Sequence, residues 1–103
     1  MLVLTTDTIP GYEIVPLGLV RGSTVRAKHI GSDIVASLRN LVGGEIKEYA
    51  SLLAGAREQA LDRMKAEAQG LGADAVIAVR FETSQIAQSA SEILAYGTAV
   101  KLK

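Results

Sequence analysis

The stretch GGEIKEYASLLAGAREQALDRMKAEAQGLG, from Gly43 to Gly72, decides how the rest of this chain is read. Ile46, Tyr49, Leu53, Ala56, Ala60, Met64, Ala68 and Leu71 recur at steps of three and four, the spacing of one face of an α-helix. Lys47, Ser51, Glu58, Asp62, Lys65 and Gln69 fall on the other side. Glu45 and Glu48 stand in the first turn, where carboxylates suit the positive end of the helix dipole. Gly70 and Gly72 close the helix. The pattern predicts one long amphipathic helix over about residues 45–71.

Working upstream, Ser32 or Asp33 can cap a shorter helix, with Ile34, Val35, Leu38, Leu41 and Val42 along one face. Gly43-Gly44 then forms an elbow between the two helices. Before them, Tyr12 to about Ala27 is rich in β-formers and is interrupted by Pro16 and Gly18, so a strand there is bent, bulged or at an edge. Met1–Thr5 reads as a short strand.

Downstream, Asp74 to about Thr83 alternates, with Ile77, Val79 and Phe81 on one face and Val76, Ala78, Arg80 and Glu82 on the other. Gln85 to Ser91 reads as a loop. Glu92 to Lys103 alternates again, with Leu94, Tyr96, Thr98, Val100 and Leu102 together. The expected class is α+β: one small two-layer domain over 1–103, with an antiparallel or mixed sheet of about four strands packed on a short and a long helix. The other face of the last two strands (Val76, Ala78, Ala95, Gly97, Ala99) is small and apolar, which suggests a surface another subunit could approach closely.

The 103 residues suit a single domain of radius of gyration ~13 Å if compact. Nearly half of them are hydrophobic and few are aromatic, more apolar content than a small monomer easily hides. Eleven basic and eleven acidic residues cancel. That balance, with no basic run, argues against nucleic-acid binding. No apolar run is long enough to span a membrane, and the N-terminus lacks the pattern of a secretion signal, so a cytoplasmic protein is expected.

The absence of cysteine removes disulfides, thiol nucleophiles and Cys-based zinc sites. His29 is the single histidine and so the only conventional base; it is also a weak candidate metal ligand, if a symmetric ring repeats it about an axis. No nucleophile elbow, phosphate loop or calcium loop occurs, and no cofactor is expected. An enzyme is the least supported reading. Arg57 stands out instead: helical spacing puts it near the middle of the apolar stripe, close to Leu53, Ala60 and Met64, where a guanidinium must reach water or meet an anion. Glu67 lies at the edge of the same stripe, and Tyr49 could line a pocket beside Arg57. Glu45, Glu48 and Glu92 are candidate partners for Arg57. Arg57, Tyr49, Glu67 and Glu45 are therefore the candidate ligand-binding or interface residues.

Several of these segments together resemble the YbjQ-like family: Gly18-Leu19-Val20-Arg21-Gly22, Gly43-Gly44-Glu45, Tyr49, Ala56-Arg57, Ala60, Met64, Glu67-Ala68, Leu71-Gly72-Ala73-Asp74-Ala75-Val76 and Tyr96-Gly97-Thr98-Ala99-Val100. The resemblance runs from about Tyr12 to Lys101. It implies a small α/β subunit of a homo-oligomer, a pentameric ring, with no established activity. It also brings a label of heavy-metal binding, which a chain with no thiol and one histidine does little to support. The partner this implies is the chain itself, with a small ligand or a metal ion as a further one.

Overall fold

The structure is a computed structural model that describes residues 1–27, 43–87 and 90–103, with side chains described outside 26–52 and 86–90. The expected short helix and His29 lie outside the described residues. Four strands and one helix are seen: β1 (Leu2–Val3), β2 (Ile14–Ala27), α1 (Gly43–Gly70), β3 (Ala75–Ala87) and β4 (Ala90–Leu102). The strands form one mixed sheet in the order β1-β3-β4-β2. β4 is antiparallel to both β2 and β3, while β1 runs parallel to β3. The fold is α+β, a mixed sheet with a helix on one side.

Helix α1 lies over β2 and β4 and barely reaches β3. Its buried seam is Ala56, Ala60, Met64 and Ala68, one residue per turn. Beneath the seam the sheet presents Val20, Gly22 and Thr24 from β2 and Ile93, Ala95, Gly97 and Ala99 from β4. Small residues on both layers bring the backbones close. Gly22 carries this furthest: a Cβ there would overlap the carbonyl oxygen of Ala60 and the amide nitrogen of Met64. Leu71, expected on the seam, is instead exposed beyond the helix end, where the chain has turned away at Gly70–Gly72.

The small-residue face therefore belongs to the helix of the same chain, which overturns the expectation that it awaits another subunit. Within β3 the membership of that face changes through a shift of phase. Ile77 pairs with Thr98 and Arg80 with Tyr96, so two residues, Ala78 and Val79, stand opposite one. Ala78 takes up the extra length in the left-handed region, at φ 54°. Its N–H donates to the Thr6 carbonyl at 2.8 Å, and that of Val79 donates to the Leu4 carbonyl at 3.0 Å. After this bulge Val79 joins Val76 beneath the helix, whereas Ile77 faces the other way.

On the opposite face a second, smaller cluster gathers Ile9, Ala75, Ile77 and Val100, with Leu4, Ile14 and Leu102 against it. The chain between β1 and β2 covers only this end. A further irregularity falls between Pro16 and Gly18, where Gly18 adopts φ 145°. The interruption read from the sequence is thus a bulge in an edge strand. The expected loop at 85–91 is shorter than predicted: β3 runs on to Ala87 and β4 starts at Ala90.

The molecule is long and thin. Its extents are 53 × 24 × 16 Å and its radius of gyration is 17.0 Å, well above the ~13 Å of a compact chain this size. Every main element runs the full length: a 28-residue helix is ~42 Å long, and a 14-residue strand ~46 Å. One layer of each leaves no depth for a large core.

Candidate functional site

The structure separates the residues that the sequence singles out. Arg57 is exposed, and among the described residues it enters no ion pair. It flanks the buried seam on the side that carries Leu61, rather than standing in the seam's middle. Ala56, not Arg57, faces the sheet, because the seam drifts by the i, i+4 step. Glu67 is also exposed, ten residues and so ~15 Å along the helix from Arg57. Glu92, one expected partner, follows the opposite face of the sheet from α1 and cannot reach it. Tyr49 and Glu45 lie within α1, but their side chains fall outside the described ones, as does Glu48.

The sheet face away from α1 holds a set of side chains that sequence reasoning passed over. β4 lines up Arg21 of β2, Tyr96 of β4 and Arg80 of β3 as one cross-strand rung. Neighbouring side chains on such a rung have Cβ atoms ~5 Å apart, so Tyr96 stands between the stems of the two arginines. Arg80 Nη1 donates to the carbonyls of Thr5 (3.2 Å) and Val79 (3.0 Å), which ties it to the N-terminal segment. The Tyr96 hydroxyl donates to Glu82 Oε1 at 3.4 Å. Arg21 is exposed with no such tie among the described residues. Leu19 (64% exposed) and Val25 (50%) stand on the same bare face.

At the rim, Arg63 reaches from α1 down to β2 and donates to the Ser23 carbonyl at 2.6 Å. Below the helix, Thr24 is buried, and its Oγ1 has no hydrogen-bond partner. At the other end Asp74 Oδ2 accepts the Leu102 N–H at 2.9 Å, with Lys101 Nζ 3.8 Å from the same carboxylate. The signal that could have found the rung was present. Arg21 and Tyr96 both lie in glycine-containing segments at facing positions of an antiparallel pair, but only the register brings them together.

Chemically, Arg21 is the open donor of this rung, since Tyr96 and Arg80 already donate within the chain, and an exposed guanidinium can hold an anion. Among the described residues no group of three or more His, Cys, Asp or Glu is placed to bind a metal ion. No nucleophile–base pair is seen among them either.

The whole chain, residues 1–103, matches the YbjQ family model described as "Putative heavy-metal-binding". This chain belongs to the YbjQ family. Members similar to it include a UPF0145 protein of Fervidobacterium nodosum, 61% identical over all of this chain and 96% of that one. Another, from Hahella chejuensis, is 57% identical with both chains fully covered. A third, from the archaeon Methanosarcina acetivorans, is 56% identical over 99% of this chain and 97% of its own. Among solved structures, a protein of unknown function from the DUF74 family of Pediococcus pentosaceus superposes with a TM-score of 0.70. It covers 100% of this chain and 98% of its own at 14% identity, so the two share a fold. The YbjQ description names heavy metals, yet the residues described here do not fit such a group: the chain has no cysteine, and no metal-ligating cluster forms among them.

Proposed function

We propose that this chain is the subunit of a ring-forming homo-oligomer, a pentamer as the family resemblance implies, that holds a small anionic ligand at its subunit boundaries. One observation carries the reading. Leu19 (64% exposed) and Val25 (50%) on the sheet face turned away from α1, and Phe81 (44%) at the sheet's side, leave large apolar side chains open near Arg21 and Glu82, the kind of surface that marks an interaction site.

The positions of the charged groups support a boundary site. Arg57 and Arg21 are exposed without in-chain carboxylate partners among the described residues, each beside apolar surface that an interface would dry. A guanidinium brought into such a setting favours an anion. No described helix is long and apolar enough to cross a membrane, and the reading carries with it a cytoplasmic location.

Native mass spectrometry at micromolar concentration tests the assembly: a single closed oligomer is expected, and a monomer overturns the proposal. Titration of the assembled protein with inorganic phosphate, followed by calorimetry, tests the ligand class. Metal content after gentle purification, with zinc, copper and nickel titrations, tests the heavy-metal alternative, for which blank results are expected.

A further inference from the structure

Among the described residues the sheet ends in two edges that no strand covers, of different character; on β2 the Arg63 side chain holds the Ser23 carbonyl. β2 is an outer strand over its whole length. Pro16 and the bulge at Gly18 interrupt its first part, but from Leu19 to Ala27 it carries no proline and no irregularity of register. On the other side β1 and the segment after it cover β3 only as far as Val79. Beyond Arg80 no described strand pairs with the outer side of β3. Long unpaired edges are templates for another strand, and monomeric proteins normally interrupt or cover them.

The two edges complement each other in three respects. First, β2 and β3 run in the same direction, because each is antiparallel to β4. A rotation about an axis along the strands therefore sets β2 of one copy beside β3 of the next, head to tail, as a closed ring requires. Second, the charges differ. Arg21 and Arg63 mark the β2 edge, while Phe81 to Ala87 contains Glu82 and no basic residue. Pairing β2 with its own copy would instead crowd arginine against arginine. Third, α1 sits over the β2 side and barely reaches β3, and Phe81 lies 44% exposed on the helix-facing side of its strand. A neighbour's β2, roofed by its own α1, would cover that ring.

We propose that β2 of one subunit pairs in parallel with the outer edge of β3 beyond Arg80 in the next, carrying one continuous sheet around the ring. This rests on the ring reading above and names the surface that builds it. Ring closure then covers Phe81 and brings Arg21 of one subunit to the same sheet face as Glu82 of its neighbour.

The chain has no cysteine, so introduced thiols report cleanly. Val25→Cys on β2 and Ser84→Cys on β3 are both exposed positions. Each would be made alone and then co-expressed with the other, and the assemblies treated with a flexible bismaleimide that spans several residues of register. Each chain carries one thiol, so every product is between subunits. The expected result is a covalent dimer from the mixed assemblies and none from either variant alone. A dimer from Val25→Cys alone would show a symmetric β2–β2 contact and overturn the proposal. So would absence of the mixed dimer in a sample whose native mass spectrum still shows the ring. A monomer in that spectrum removes the ring reading, and this inference with it.

Discussion

Gly22 lies directly beneath Ala60, at the point where α1 crosses β2 most closely. Any side chain there would meet helix backbone rather than a flexible neighbour, so the layers must separate to admit it. Gly22→Ala is expected to cost about 3 kcal/mol through this overpacking. A chain of this size would then melt more than ~10 °C lower. Thermal denaturation followed by circular dichroism checks it, and an unchanged midpoint would show that the helix can lift at no expense.

Gly55 stands on the same helix with open space around its Cα and an exposed position. Alanine there adds no clash and removes the entropy that glycine loses on folding. Gly55→Ala is expected to raise stability by about 0.5–1 kcal/mol, read as a higher denaturant midpoint at unchanged slope.

Met64 is the largest fully buried side chain, set among alanines. Few neighbours are long enough to fill a gap there, so Met64→Ala should leave most of its volume empty. A loss of about 3–5 kcal/mol is expected in urea unfolding. A loss under ~1 kcal/mol would mean that the layers collapse onto the cavity.

Thr24 buries a hydroxyl that finds no partner. Valine keeps its shape and discards the polar group. Thr24→Val is expected to stabilise the protein by about 1 kcal/mol, the desolvation cost of an unsatisfied buried group. Loss of stability would reveal a hydrogen bond that the hydroxyl makes in the assembly.

Arg57 is exposed in the lone chain, and surface substitutions of this kind usually change stability by less than ~0.5 kcal/mol. Arg57→Leu should leave the unfolding of dissociated subunits unaltered while lowering the oligomer fraction in native mass spectra. No change in either would place Arg57 outside the interface.

The fold was legible in the sequence wherever periodicity is unbroken. The long helix was expected over 45–71 and runs from Gly43 to Gly70, and Ala56, Ala60, Met64 and Ala68 form its seam as the spacing implied. The trouble at Pro16 and Gly18 was legible too, because proline and glycine disturb a strand locally. The faces of the last two strands were not. Period-two alternation says which residues share a side but not which side the helix takes. The choice here follows bulk: the narrow space beneath α1 admits Ala95, Gly97 and Ala99, so Leu94, Tyr96 and Thr98 go to the other face. The Arg21–Tyr96–Arg80 rung was illegible for a different reason, since it exists only through register across three strands. Arg57 misled because one arginine near an apolar stripe looks buried until the drift of the seam is known.

Ala78 works on its strand as an inserted letter works on a reading frame. Everything downstream of it is read one face out of step with what precedes it. Were Ala78 kept but drawn into regular alternation, Arg80 and Glu82 would turn toward the helix, and Val79 and Phe81 toward solvent. The boundary between the two halves of β3 is thus held by a single residue in a left-handed conformation, its N–H bound by the Thr6 carbonyl and that of the next residue, Val79, by the Leu4 carbonyl. The N-terminal segment thereby keeps the strand in frame.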